Sequence, residues 1–290
     1  MGNLKCKNIK KIYNKKEVLK GIDLELERGK IYGLIGRNGV GKTTLLSILS
    51  AQNPASEGKV TLDGEEVWEN QKIIDQICFS REISQMAGNG QNTLKIKDYL
   101  KAASIFYPKW NKELAEELMQ KFKLEKKAKI CKLSKGMLSM LTIIIALASE
   151  AEYTFLDEPV AGLDVVARDM FYKLLLREYS KSGRTFVIST HIIEEAADIF
   201  EEVIIVNQGK ILLKENTQEL LERTVHVSGK AEDVMAAIEG LKCCRKEMVG
   251  RSMGATIMLK PGESVKEGYP VSVQNMNLEK LFVALCGEEV

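Results

Sequence analysis

Gly36-Arg37-Asn38-Gly39-Val40-Gly41-Lys42-Thr43 has the GxxxxGK[ST] spacing of a phosphate-binding loop. Such a loop needs glycines, because side chains would keep backbone N–H groups from wrapping phosphate oxygens. Lys42 supplies a fixed cation for the β- and γ-phosphates, and the Thr43 hydroxyl suits Mg²⁺. Thr44 carries the loop into the first turn of the following helix, whose positive N-terminal end points at the phosphates. A second chemical element is Tyr153-Thr154-Phe155-Leu156-Asp157-Glu158-Pro159, an apolar run ending in two carboxylates. Asp157 can hold Mg²⁺ through water. Glu158, one residue on, can polarise an attacking water as general base. A strand running into an acidic turn is common; beside a phosphate loop in the same chain it reads as the second half of a nucleoside-triphosphate site.

Both motifs need strands to present them. KIYGLIG is a compact apolar run into glycines, and a helix pattern follows at Thr43 to Ser50, closed by Asn53-Pro54. Upstream, KNIKKIY and EVLKGIDLELE alternate apolar and polar residues as strands do. GKVTLDGEEV predicts a hairpin turning at Asp63-Gly64. DYLKAASIFY and NKELAEELMQKFKL predict helices separated at Pro108, with Asn111 as N-cap of the second. Leu138 to Ser149 suits a buried helix, YTFLDEP a buried strand, VARDMFYKLLLREYS a helix and RTFVIST another strand. A helix is expected from Ile193 to Phe200, then the strand EVIIVN and a turn at Gln208-Gly209. This alternation predicts an α/β fold with a mostly parallel, helix-covered sheet. After about residue 222 the rhythm changes: TVHVSG, a helix at AEDVMAAIEGL, a strand at ATIMLK and a helix at NLEKLFVALCG suggest a small α+β unit. The expected division is a nucleotide-hydrolysing domain over 1–222, with a helical insertion at about 86–140, and an accessory unit over 223–290.

Composition narrows the partners. A net charge of +2 gives no basic excess that would demand a nucleic-acid partner, and none is expected. The lysines near the start (Lys5, Lys7, Lys10, Lys11, Lys15, Lys16 and Lys20) read more simply as a solvated strand face than as a membrane or nucleic-acid patch. Cys6, Cys78, Cys131, Cys243, Cys244 and Cys286 have no metal-ligand spacing, which suits a reduced, cytosolic chain. The first residues lack the apolar centre of a signal peptide, and the greasiest stretch, Met137 to Ala148, is too short to span a bilayer. Any membrane role must then come through a partner.

Further motifs make the pattern specific. Leu133-Ser134-Lys135-Gly136-Met137 precedes the buried helix, Ala161-Gly162-Leu163-Asp164 follows Glu158, and Ser189-Thr190-His191 ends the next strand. Over roughly residues 3–215 this order resembles the nucleotide-binding subunit of ABC transporters, a phosphate-loop ATPase with a helical subdomain, and within that family the antibiotic-resistance and cell-envelope exporters, where an LSKGM signature and a Pro-x-Trp pair (here Pro108 and Trp110) recur. The resemblance implies ATP and Mg²⁺ as ligands, with Tyr13 stacking on adenine, His191 contacting the γ-phosphate, and Asp164 in the loop between paired cassettes. It implies that Ser134, Lys135, Gly136 and Met137 form the signature that reaches the nucleotide of a second ATPase subunit, identical or a sister chain. It also implies a separate transmembrane permease, docked through the helical insertion, that would hold this chain peripherally on the inner face of the membrane. An ordinary strand aromatic at Tyr13 and a surface histidine at His191 are the plainer readings of those two residues. Lys135 and Met137 stand where the family usually has glycine and glutamine. A Mg²⁺-touching glutamine should follow QICFS; Glu82 aligns there, with Gln85 three residues on, and Glu82 is preferred because a carboxylate also suits Mg²⁺. Outside transport, an ATPase that senses drugs with a membrane partner is the competing expectation; one phosphate loop and no long heptad run speak against translation factors and DNA-repair relatives.

Overall fold

The computed structural model describes residues 2–88 and 90–287. The chain opens with two long antiparallel strands, β1 (Leu4–Tyr13) and β2 (Lys16–Leu26), followed by β3 (Ile31–Ile35), buried on both faces. Helix α1 (Lys42–Leu49) leads to the hairpin β4 (Glu57–Leu62) and β5 (Glu65–Glu66). The turn falls at Asp63-Gly64, where both residues have positive φ, as a tight hairpin of this kind requires. A short α2 (Gln71–Ile74) precedes β6 (Ile77–Ser80), and β7 (Met86–Ala87) with β8 (Gly90–Gln91) forms a small ribbon. The helical insertion holds α3 (Ile96–Phe106), α4 (Lys112–Lys121) and α5 (Lys135–Ala148). Asn111 caps α4 as expected, its side chain accepting from Leu114 N at 2.9 Å.

The chain then returns to the core as β9 (Tyr153–Asp157), α6 (Val165–Ser182), β10 (Thr185–Thr190), α7 (Ile193–Ala196), β11 (Glu202–Asn207), β12 (Lys210–Asn216) and α8 (Thr217–Glu222). The central sheet has the order β12-β11-β3-β10-β9-β6, parallel except for β12. Ser189 pairs with Asp157 and Thr190 with Ile35, so the loops after β3, β9 and β10 leave the same edge of the sheet. Ligands of open α/β sheets bind outside these carboxyl ends. One buried cluster fills the space between the central sheet, α1 and the antiparallel sheet β2-β1-β4-β5; a second packs the opposite face against α5, α6 and the insertion. The fold is the α/β phosphate-loop architecture that the alternation of strands and helices predicts.

One element differs. The helix expected over Ile193 to Phe200 ends at Ala196, and Ala197–Ile199 is a 3₁₀ turn. The Phe200 ring lies over Gly33 so closely that a Cβ there would sit 2.4 Å from it, and Glu201 N donates to Ile31 O at 2.9 Å. These contacts pull the backbone into β11 before a last helical turn can form.

The remaining residues form β13 (Thr224–Lys230), α9 (Ala231–Ala237), β14 (Cys243–Val249), β15 (Ser252–Met258), β16 (Ser272–Asn275) and α10 (Leu278–Cys286). The strands make an antiparallel sheet, β14-β15-β13-β16, and α9 covers one face through Val234 and Ile238. Strands β14 and β16 join the two expected there. Leu278 and Leu281 of α10, with Met258, belong to the main core, so this portion is anchored to the rest of the chain by its last helix.

Candidate nucleotide site

The residues at the carboxyl edge converge around the phosphate loop. Gly36 has to be glycine because β11 passes beside it: a Cβ would lie 2.7 Å from Val206 O. Gly39 has φ +77°, and nothing lies within 4 Å of where its Cβ would be, so the top of the loop is open to a ligand. Gly41 caps α1 at φ +110°, a left-handed conformation that favours glycine. Lys42 is buried, with 6% of its surface exposed. Its ammonium donates to Gly36 O at 2.6 Å and lies 3.6 Å from Glu158 Oε1. Thr43 is exposed beside the loop, and Thr44 follows half-buried in the same turn.

Asp157 and Glu158 have different surroundings. Asp157 Oδ1 accepts from Ser189 Oγ at 2.5 Å, and among the described residues nothing donates to its second oxygen. Glu158 sits at φ +50°, a left-handed conformation that is costly for a side chain with a Cβ. Its backbone N donates to Ser189 O at 3.1 Å and Ser189 Oγ at 3.0 Å, which holds it there. The carboxylate then spans the gap between two cations or potential cations: Oε1 faces Lys42, and Oε2 meets His191 Nδ1 at 2.6 Å. His191 is set at the end of β10 by a tight turn in which Ile192 N donates to Thr190 Oγ1 at 3.0 Å.

The other sequence-predicted residues separate into neighbours of this centre and residues facing elsewhere. Thr43, Glu82 and Asp157 line one cleft of about 1010 Å³. Gln85 instead donates to Leu133 O at 2.6 Å, tying its segment to the residue before Ser134. Tyr13, at the end of β1, is half-exposed, with the Lys11 ammonium 5.0 Å from its ring centre and the Asn53 amide on its hydroxyl. Ser134 N-caps α5, its oxygen accepting from Met137 N at 3.2 Å. Asp164 N-caps α6 in the same way, accepting from Ala167 N at 2.8 Å. The signature and the Asp164 loop are locked together: Ser139 donates to Ala161 O at 2.6 Å, and a Cβ on Gly136 would lie 2.7 Å from Gly162 O. The stem of Lys135 lies against Gly162, where an added Cβ would come within 2.9 Å of its Cγ. The Ser189 hydroxyl, which bonds both Asp157 and the Glu158 amide, is named in sequence only as part of the Ser189-Thr190-His191 run and given no role of its own there. Arg37, Asn38 and Val40 complete the loop, Val40 N donating to Arg37 O at 3.3 Å.

A glycine-lined loop with a buried lysine, facing a carboxylate–histidine pair at the carboxyl edge of a parallel sheet, defines a phosphate-loop ATPase of the cassette type. The family model for ABC transporters matches residues 19–161. Over nearly its whole length the chain is 30% identical to the Nod factor export ATP-binding protein I of Burkholderia orbicola, covering 98% of this chain and 97% of that one. It is 29% identical to the linearmycin resistance ATP-binding protein LnrL of Bacillus subtilis, covering 98% of each. The ATP-binding cassette MJ0796, solved as a dimer in a post-hydrolysis state with ADP and Pi, superposes with a TM-score of 0.64 at 24% identity, covering 74% of this chain and 98% of that one. The chain belongs to the ATP-binding subunits of ABC transporters, and it is an ATP hydrolase of that type.

Proposed function

We propose that this chain is the ATP-driven motor of an exporter, working as a pair of cassettes beneath a separate permease on the inner face of the membrane. The observation that carries the reading is the continuous link from Gly36 O through Lys42 and Glu158 to His191, an arrangement suited to an incoming γ-phosphate. In this reading Gly36 to Thr44 wrap the phosphates, Lys42 turns from Glu158 toward them, and Tyr13 stacks on adenine. Thr43, Asp157 and Glu82 are oxygen donors on one cleft, as the hard cation Mg²⁺ prefers. When bound, Mg²⁺ neutralises charge on the β- and γ-phosphates. Glu158 takes a proton from the attacking water, and His191 holds the Glu158 carboxylate and the γ-phosphate in register.

The second cassette enters because Ser134 is exposed at the N-terminus of α5, where a helix end favours phosphate, yet does not line the cleft shared by Thr43 and Asp157. A twofold pair would place Ser134 and Gly136 over the partner's ATP, and Asp164 between the two sites. The locked contact of Gly136 with Gly162 would make the signature and this loop move as one. Lys135→Gly is expected to keep ATPase activity within about tenfold, a barrier change of about 1.4 kcal/mol, because its stem packs on Gly162; steady-state turnover decides, and a much larger fall would mean that the ammonium touches phosphate.

The permease would dock at the far end of the cleft, where Tyr99 and Phe106 continue from Glu82. Phe106 and Ile105 are 73% and 75% exposed, an apolar pair suited to burial against a partner. Among the described residues no helix is long and apolar enough to cross a membrane, so the transported molecule would be handled by that partner. Export agrees with the names of the two relatives, one a Nod factor exporter and one a linearmycin resistance protein. Residues 223–290 would serve as an accessory unit to the ATPase domain over 1–222. Co-purification with any permease encoded beside this chain is the direct test. Phe106→Glu should abolish that co-purification while ATP affinity stays as in the native chain; retention of the permease would remove this docking surface.

A further inference from the structure

A recess of about 250 Å³ opens on the other side of α3 from the cleft. Residues Tyr99, Ala102, Ala103 and Phe106 face the cleft, whereas Lys97, Leu100, Lys101 and Ser104 form the helical stripe that faces the recess. Lys112 begins α4 on the facing wall, and Lys126 comes from the segment after α4. That segment is pinned to α3 by Lys97 N donating to Lys126 O and Ile96 N to Ala128 O, both at 3.0 Å. The floor is apolar: Leu100 and Trp110 are half-buried and packed on the main core.

The rim is strongly one-signed. Lys97, Lys101, Lys112 and Lys126 surround the floor, and the carboxylate among the lining residues is Glu116, 3.6 Å from Lys126. Among the described residues, the ammonium groups of Lys97, Lys101 and Lys112 make no ion pair. The N-terminal end of α4 lies beside Lys112, with Glu113 in the same first turn. Solvated lysines need no apolar floor, and a core-facing tryptophan needs no ring of lysines. A ligand with an anionic head and an apolar body uses both.

We propose that this recess binds an anionic phospholipid, with its phosphate among Lys97, Lys101, Lys112 and Lys126 and its glycerol and first acyl carbons against Trp110 and Leu100. Basic clusters near an anionic leaflet gain attraction with each lysine, and an aromatic ring at headgroup depth suits the interface. A nucleic acid would need a longer basic track and more stacking rings than the one tryptophan here. The site adds a lipid contact to the permease docking proposed above and does not depend on it.

The chain has two tryptophans, Trp68 and Trp110, so Trp68→Phe leaves Trp110 as the sole indole reporter in the full chain. This protein is mixed with phosphatidylcholine vesicles carrying brominated acyl chains, with and without brominated phosphatidylglycerol. Trp110 fluorescence should be quenched when phosphatidylglycerol is present and should recover as salt is raised. K97Q, K101Q and K112Q together should weaken the apparent vesicle affinity roughly a hundredfold, at about fivefold per lysine. ATP affinity, measured on the same proteins, should stay unchanged and certify the fold. Equal quenching by phosphatidylcholine alone, no quenching by phosphatidylglycerol, or a triple variant that binds as tightly as its parent would each overturn the proposal. So would a shift of Trp110 emission by soluble decanoate with no response to phosphatidylglycerol vesicles, which would reassign the recess to a free amphiphile.

Discussion

Glu158→Gln is expected to lower ATP turnover by about a hundred- to ten-thousandfold, the usual size of a lost general base. The substitution preserves the size of the side chain and its hydrogen bond to His191, 2.6 Å away, but removes the basic carboxylate. The phosphate contacts proposed for Gly36 to Thr43 and the oxygens of Thr43 and Asp157 are left in place, so ATP binding should survive. Loss of the negative charge 3.6 Å from Lys42 frees that ammonium for phosphate and removes repulsion from the γ-phosphate itself. The variant should therefore hold ATP in a closed pair of cassettes that the native chain forms only briefly. Sizing chromatography with ATP and Mg²⁺ should show a dimer for Glu158→Gln. The dimer should vanish when Ser134, exposed at the start of α5, is also changed to a bulky residue. If a sister ATPase is the natural partner, the same experiment in its presence should give the heterodimer. Near-native hydrolysis by the Gln variant would sink the assignment of Glu158 as base.

How much of this was legible in the sequence depends on how far apart the cooperating residues lie. The phosphate loop and the Asp157-Glu158 pair are contiguous runs whose geometry is set by a strand ending where a glycine turn or an acidic turn begins. Their meeting needs β3, β10 and β9 to be neighbours, and alternating strands and helices already argued for a parallel sheet. The capping roles of Asn111, Ser134 and Asp164 are local too, each side chain serving an amide three residues on. The break after Ala196 was hidden because it comes from Phe200, ahead of β11, packing on Gly33 of β3, a contact between residues far apart in the chain. Strand β14 was hidden because Cys243–Val249 mixes charges and apolar residues without clean alternation, and it is an edge strand paired only to β15. Local sequence could not show that Glu82 lines the cleft with Thr43 and Asp157 while Gln85 bonds Leu133, because both placements are tertiary. The lysine recess draws on three separate segments, and local patterns in the sequence offer only scattered lysines there.

Lys42→Ala should cost most at the binding step. In the free protein the ammonium is already desolvated, 6% exposed, and is held by the Gly36 carbonyl and the Glu158 carboxylate. These partners keep a buried charge satisfied until phosphate arrives, so little reorganisation is needed when the ammonium changes partner. A hydrogen bond to a charged group is worth about 1.5–3 kcal/mol, which is roughly ten- to a hundred-and-fifty-fold in Kd. Titration calorimetry with a non-hydrolysable ATP analogue should read that loss. Thermal unfolding offers an independent reading: ligand at a hundred times Kd stabilises the native chain by about 2.7 kcal/mol, and the variant at the same ligand concentration should show at most about half of that gain. Without ligand the two proteins should melt close together, because truncation removes the lysine cation as well as its need for partners, and Glu158 keeps His191. Lys42→Arg should not restore affinity, since the planar guanidinium cannot take the place of a compact ammonium 2.6 Å from Gly36 O. Unchanged analogue affinity in Lys42→Ala would mean that the loop from Gly36 to Thr43 does not hold the triphosphate in the way proposed.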